Sequence, residues 1–174
     1  MKKTKRNFVN FTHKRIFYDI MNISQNTYER KEITTMAIKM QVLHYPEKGK
    51  VATIASALGT EYQVKFDKIP PAYGCTRERV VFIGISSKSK ILDDALARFL
   101  ALLNREAAQN VAIFTDASEA AVEEAKRIVT EAGANVIDVK TFKKNAFSFL
   151  AGVKPEEMAE IKAWADGVIA QVQD

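Results

Sequence analysis

Strand-like and helix-like segments alternate along the chain from residue 40 onward, and this alternation constrains the fold more than any other feature of the sequence. Five segments have the apolar residues of strands: 40–44, 62–66, 80–85, 111–114 and 136–139. Four segments carry apolar residues at helical spacing: 50–58, 91–103, 116–132 and 155–172. Because strands that alternate with helices form βαβ units, the sequence predicts an α/β fold with a parallel five-stranded sheet.

The apolar content of the strands indicates their order in the sheet. Segment 80–85 is apolar throughout, which is typical of a central strand covered on both faces. Segment 62–66 alternates apolar and polar residues, as an edge strand does. These patterns favour the strand order 2-1-3-4-5 in a three-layer sandwich, with helices on both faces of the sheet. Gly59 and Gly133 are predicted to end the first and third helices, and Asp116 with Glu119 to form a capping box at the start of the third.

Excess basic charge is confined to residues 1–35. This segment carries eight Lys or Arg and three Asp or Glu, which accounts for the whole net charge of +5, whereas the other 139 residues carry 18 of each sign. A neutral body gives no support to nucleic-acid binding. We expect residues 1–35 to be a disordered basic leader and residues 36–174 to form the domain. Because Lys31-Glu32 can be encoded by a ribosome-binding sequence, translation from Met36 without the leader stays an alternative.

Cysteine usage and apolar run lengths narrow the setting of the protein. The single cysteine, Cys75, can form neither an internal disulfide nor a zinc-binding cluster. No apolar run has the length of a membrane span, and residues 1–35 lack the apolar core of a secretory signal. A cytoplasmic protein without membrane contact is therefore expected.

Three further features are interpreted as structural. His44, which a catalytic pair with Cys75 would need, is expected to be a hydrogen-bonded histidine at the end of a strand. Trp164 is expected to pack at the rim of the last helix. Residues 140–149 interleave Lys with Phe, but the run is short, and its aromatic rings are expected to fold back on the sheet rather than bind nucleic acid.

Ligands of such sheets bind beyond the carboxyl ends of the strands, where the strand order reverses between the first and third strands. The loop after the first strand leads into a helix N-terminus, which favours a phosphate group. Gly49 allows close approach of the backbone there, and Lys48 and Lys50 add positive charge. The full set of predicted site residues is Tyr45, Lys48, Gly49, Lys50, Val51, Ser86, Ser87, Lys88, Thr115 and Asp116.

Several segments resemble the flavodoxin family. When the sequences are laid together without gaps, residues 42–51 fall on the family's first strand and phosphate loop. Residues 80–86 are similar to its third strand and the flavin loop that follows, and residues 109–116 to its fourth strand. The resemblance covers nearly the whole body of the chain. It implies FMN as cofactor, electron transfer rather than transformation of a substrate, and a redox partner protein.

The phosphate loop departs from the family pattern. The family's loop reads Ser/Thr-x-Thr-Gly-x-Thr, with hydroxyls that bind the FMN phosphate, whereas residues 46–51 read Pro-Glu-Lys-Gly-Lys-Val. Only Gly49 matches, and Glu47 would repel a phosphate. The loop after the third strand has no aromatic residue to cover the flavin ring, although Tyr45 or Tyr73 could reach it, and the body lacks the acidic charge usual in the family. A flavin-free binding or interaction module with the same fold is the alternative, and the oligomeric state stays open.

Overall fold

The computed structural model describes residues 38–87, 91–142 and 153–173. The chain divides into two units, Met1–Ala37 and Ile38–Asp174, and all of the described residues belong to the second. The predictions for the basic leader, for Lys88 and for the aromatic run beyond residue 142 lie outside the described residues.

Five parallel strands form one sheet. They are β1 (Met40–Tyr45), β2 (Lys65–Lys68), β3 (Glu78–Ile85), β4 (Ala108–Thr115) and β5 (Asn135–Thr141). Their order is β2-β1-β3-β4-β5, which confirms the predicted sheet and its strand order. Because β1 pairs with β2 on one side and β3 on the other, the order reverses at β1, and the carboxyl ends of β1 and β3 define the switch point.

Two of the described helices cover each face of the sheet. The described helices are α1 (Lys50–Glu61), α2 (Asp94–Leu100), α3 (Glu119–Ala132) and α4 (Pro155–Gln173). Successive strand residues point to opposite faces. Leu43 and Ile83 pack with α2 and α3, whereas the adjacent Val42 and Phe82 pack with α1 and α4. The result is the predicted three-layer sandwich.

The first helix does not end at Gly59, as the sequence predicted. It continues to Glu61, and Gly59 is buried inside it, so β2 begins three residues later than expected, at Lys65. A Cβ on Gly59 would lie 2.9 Å from Cβ of Phe66 on β2. Close approach of a strand, rather than a left-handed helix end, therefore explains this glycine.

The cap of α3 lies closer to the helix than predicted, and α2 is shorter than the predicted segment 91–103. α3 begins after Ser118, whose hydroxyl accepts a hydrogen bond from the Ala121 backbone N–H, so the prediction that Asp116 caps this helix was wrong. α2 begins after Asp93, which accepts from the Ala95 N–H at 2.9 Å. Gly133 ends α3 in the left-handed conformation, with φ of 104°, as expected.

Trp164 on α4 packs against the sheet at the rim of the core, as predicted. Its ring meets the ring of Phe82 edge-on, with 5.7 Å between centroids, and its Nε1 donates to Asp138 Oδ2 at 2.8 Å. These contacts hold α4 against β3 and β5. Within the described ranges, no helix is long and apolar enough to cross a membrane.

Candidate functional site at the carboxyl ends of β1 and β3

The N-terminus of α1 opens directly at the switch point. Gly49 precedes the helix with φ of 114°, a backbone angle that residues other than glycine rarely adopt. A Cβ built on Gly49 would find no described atom within 4 Å, so this backbone faces open space. The first N–H groups of a helix have no acceptor inside the helix and carry partial positive charge. Main-chain donors of α1 therefore point toward an accessible surface beside the exposed Lys48.

Lys50 points away from this opening, toward α4. Its side chain is only 2% exposed, and its Nζ forms an ion pair with Glu157 in the first turn of α4. The same Nζ lies 4.7 Å from the centre of the Phe142 ring, just after β5. Of the two lysines predicted to attract a phosphate, one is thus already balanced by an internal carboxylate.

The side chain of Val51 belongs to the core rather than to the site. It is 1% exposed and packs in the cluster that α1 and α4 share with the sheet. A Cβ added to Gly84 of β3 would collide with Cγ1 of Val51, so the side chain lies directly against this strand. Val51 can therefore contribute only its backbone N–H to a ligand at the opening.

Tyr45 is directed toward α2 and takes part in a local hydrogen-bond network. A hydrogen bond to Asp93, together with burial, raises the pKa of the Tyr45 phenol. Hydrogen bonds from the Ala95 N–H and from Tyr45 lower the pKa of the Asp93 carboxyl. Tyr73 is the other aromatic candidate for contact with a flavin ring. Its ring centre lies 5.4 Å from Nζ of Lys65, which begins β2, whereas the site lies at the carboxyl ends of the strands.

Thr115 links the ends of β3 and β4. It is fully buried, and its hydroxyl donates to the Ile85 carbonyl at 2.7 Å while accepting from the Ala117 N–H at 2.9 Å. Asp116, the next residue, differs sharply. Its Oδ1 is buried, yet it has no hydrogen-bond partner among the residues that the structure describes. The β4 end thus presents one committed hydroxyl and one unsatisfied acceptor.

The loop after β3 begins close to β1. The Ser86 N–H donates to the Tyr45 carbonyl at 2.8 Å, and Ser86 and Ser87 are both half-buried. The structure therefore brings Gly49, Ser86 and Asp116 to the same edge of the sheet, on the ends of three neighbouring strands or their loops.

Cys75 and His44 lie at opposite ends of the sheet. His44 is near the end of β1, with Nδ1 3.0 Å from the Pro46 carbonyl oxygen, which confirms the predicted hydrogen-bonded histidine. Cys75 precedes β3, and burial, reinforced by the Glu78 carboxylate, raises the pKa of its thiol to about 11. A protonated thiol far from a base is a poor nucleophile. In the described parts of the chain, no cluster of three or more acidic, His or Cys side chains suits a metal ion.

Sequence reasoning missed two carboxylates at this edge. The sequence marks Glu157 only as an acidic residue in the first turn of a helix. It does not indicate the ion pair, because the partner Lys50 is 107 positions away. Asp93 lay inside a segment predicted as helix. Both act through partners that only the fold brings near, so local pattern could not identify them.

Comparison with known proteins supports the fold and little more. No protein-family model matches the chain, and no curated protein matches it. A flavoprotein from Lactobacillus acidophilus NCFM, solved in complex with FMN, gives a TM-score of 0.51 at 14% identity over 74% of this chain and 99% of its own. A protein from Bacteroides eggerthii DSM 20697, provisionally described as a flavoprotein, gives 0.51 at 15% identity over 75% and 98%.

A third similar structure is the two-electron reduced flavodoxin of Megasphaera elsdenii, with a TM-score of 0.49 and 15% identity over 72% of this chain and 98% of its own. Identities at this level speak for the fold alone. The strand order, the layering and the first two similarities together define the class: the chain has a flavodoxin-like fold.

Proposed function

We propose that the chain binds FMN, with the phosphate at the N-terminus of α1, and transfers electrons to a redox partner protein. The observation that carries the proposal is the opening at Gly49. There the main chain holds a positive-φ conformation with open space in front of it, at the switch point of a flavodoxin-like sheet. Helix N-termini of this kind bind phosphate through backbone N–H groups and the helix dipole.

The donors around this opening suit a phosphate, and the β4 end suits a flavin ring. The N–H groups of Val51 and Ala52 lie in the first turn of α1, and Lys48 is an exposed cation beside it. The imide N–H of a flavin is a donor, and Asp116, whose buried Oδ1 has no described partner, would have to turn outward to accept from it. The bound flavin would supply the electron chemistry, while the chain holds it and limits its contact with water.

The proposal also concerns the redox partner and the cellular compartment. The body of the chain is neutral, so docking of a redox partner would not depend on a strongly acidic face, unlike the expectation for an ordinary flavodoxin. Cys75 and His44 lie at opposite ends of the sheet and form no nucleophile and base pair, which supports electron transfer over conversion of a substrate by these two residues. The single cysteine of the chain, Cys75, is a free thiol, which suits a reducing compartment such as the cytoplasm.

A second candidate is a flavin-free module that binds phosphate or a partner at the same place. The observation that favours it is the internal use of three predicted site side chains. Lys50 pairs with Glu157, Tyr45 with Asp93, and the Thr115 hydroxyl with the main chain. On this alternative, the main-chain cradle survives while the side chains have turned to structural roles.

Titration with FMN and with riboflavin separates the two candidates. We expect the fluorescence of FMN to be quenched on binding. FMN should bind at least about tenfold more tightly than riboflavin, because a charge-assisted hydrogen bond to the phosphate contributes about 1.5–3 kcal/mol. Gly49→Val should remove most of that preference, because the valine side chain is strained at this φ and fills the opening.

Gly74→Val is the matched control, since Gly74 is also exposed with open space around it but precedes β3 at the other end of the sheet. It should leave both affinities unchanged. A colourless protein that takes up no added FMN would exclude the electron carrier and leave the flavin-free module.

A further inference from the structure

A groove begins at the Gly49 opening and follows α1 to its end. Its lining residues extend from Glu47, before the helix, to Glu61 in its last turn, and α4 contributes Met158 and Lys162. The groove has a volume of about 770 Å³, and pockets for small molecules commonly measure about 300–1,000 Å³. There is therefore room for a ligand group beyond the phosphate that Gly49 is proposed to hold.

The α1 side of the groove combines methyl groups with hydroxyls. Ala52 and Ala57 provide the methyl groups, and Thr53, Ser56 and Thr60 provide the hydroxyls. The Thr53 and Thr60 hydroxyls donate to main-chain carbonyls one turn earlier, at 3.3 and 2.9 Å, so their lone pairs are left to accept hydrogen bonds. Such a surface suits a group with a flat ring and a sugar, because the methyl groups can contact the ring while the hydroxyls bind the sugar.

The charges along the groove favour an anion near its start. Glu47 pairs with Lys68 at 3.0 Å, and Glu61 pairs with Lys162. Because both acidic residues of the lining are paired with lysines, the exposed Lys48 supplies the excess positive charge. Lys48 directly precedes the opening, where main-chain N–H groups already favour a phosphate. A second phosphate beside the first would therefore meet a cation rather than a carboxylate.

We infer that the ligand of this site is a flavin dinucleotide of the FAD type, with its adenylate in the groove between α1 and α4. This inference rests on the proposed function and extends it to the part of the ligand beyond the flavin phosphate. The pyrophosphate would lie at Gly49 and Lys48. The purine ring would lie on Ala57 and against the thioether of Met158, a group that contacts aromatic rings favourably.

Calorimetric titration of the unchanged protein with FAD and with FMN tests the inference. The phosphate monoester of FMN carries nearly two charges at neutral pH, as the pyrophosphate of FAD does, so net charge does not favour either flavin. We expect FAD to bind at least about tenfold more tightly than FMN, through the additional contacts in the groove. An FAD affinity equal to or below that of FMN would overturn the inference and leave FMN binding intact.

Ala57→Phe should abolish the preference for FAD, because the phenyl ring fills the groove. Its FMN affinity should stay within about twofold of the unchanged protein, since Ala57 lies about 12 Å along the helix from Gly49. Ala170→Phe is the matched control, with the same replacement at an exposed position of α4 outside the groove. It should keep the preference. A preference that survives in Ala57→Phe, or is lost equally in Ala170→Phe, would overturn the inference.

Methionine methyl NMR of the unchanged protein covers the case in which Ala57→Phe does not fold. Met158 lines the groove, whereas Met40 begins β1 at the opposite end of the sheet and serves as an internal control. FAD should shift the Met158 methyl signal clearly more than FMN does, through the ring current of the purine, and should leave the Met40 signal unchanged. Equal shifts of Met158 with the two flavins would overturn the inference.

The outcomes for the inference and for the proposed function differ. Binding of FAD without binding of FMN supports the inference and assigns the electron carrier to FAD. Binding of FMN with no preference for FAD overturns the inference alone. If neither flavin binds, both proposals fail.

Discussion

Gly84 of β3 is the position where one added methyl group should most clearly disturb both the fold and the site. A Cβ built there would lie 2.5 and 2.6 Å from two ring carbons of Phe114, and closer still to Cγ1 of Val51. Phe114 is 0% and Val51 1% exposed, so neither neighbour has solvent to move into. Gly84→Ala therefore forces the sheet or the first turn of α1 to shift.

The size of the effect follows from this overpacking. Extra methyl groups in a well-packed core cost about 1–3 kcal/mol, and two simultaneous collisions place Gly84→Ala near the upper end. For a domain of this size, each kcal/mol lowers the melting temperature by about 4 °C, so we expect a loss of roughly 10 °C. Because Val51 is the second residue of α1, the displaced helix start should also weaken the proposed binding of FMN at Gly49.

Thermal unfolding followed by circular dichroism measures this loss, with Gly167→Ala as the matched control. Gly167 lies in α4, is exposed, and has no described atom within 4 Å of a built Cβ. The same substitution there should stabilise the protein by about 0.5–1 kcal/mol, because alanine favours a helix. If Gly84→Ala melts within roughly 2 °C of the unchanged protein, the close packing of β3 against α1 is refuted.

Two further predictions concern single side chains. The thiol of Cys75 has a pKa of about 11 and is therefore protonated at pH 8. It should react with Ellman's reagent far more slowly in the native protein than in urea, and the native rate should rise toward pH 11. A rapid reaction of the native protein at pH 8 would contradict the burial of Cys75. Ser118→Ala should lower the free energy of unfolding in urea by about 1 kcal/mol through loss of the α3 cap. Asp116→Ala should cost less than about 0.5 kcal/mol, because its buried Oδ1 has no described partner; equal losses would assign the cap to both residues.

Features that depend on one element alone could be predicted from the sequence. The apolar run of β3 identified a central strand, because burial on both faces leaves no polar position. Gly133 identified the end of α3, since a left-handed residue at a helix terminus is most easily a glycine. The strand order followed from such local features together with the handedness of βαβ crossovers.

Features that depend on contacts between distant elements could not be predicted. Gly59 has the same local signal as Gly133, but Phe66 of β2 lies against it, and the helix continues. The Lys50–Glu157 pair joins the start of α1 to the start of α4, so the sequence indicated two independent charges where the structure has one ion pair. Charge near a predicted site is therefore a weaker signal than the backbone conformation that creates the site.

The site divides between what the fold provides and what the side chains provide. Any flavodoxin-like sheet places a helix N-terminus at the end of its first strand, and here Gly49 keeps that main chain accessible without a hydroxyl in the loop. The side chains around it are engaged with one another, as in the ion pair of Lys50 with Glu157. A degenerate phosphate-loop sequence is consequently compatible with phosphate binding, because the donors that define the binding geometry belong to the main chain. What the altered loop changes is the set of side chains beside those donors, since Lys50 is paired with Glu157 of α4 and Lys48 is exposed.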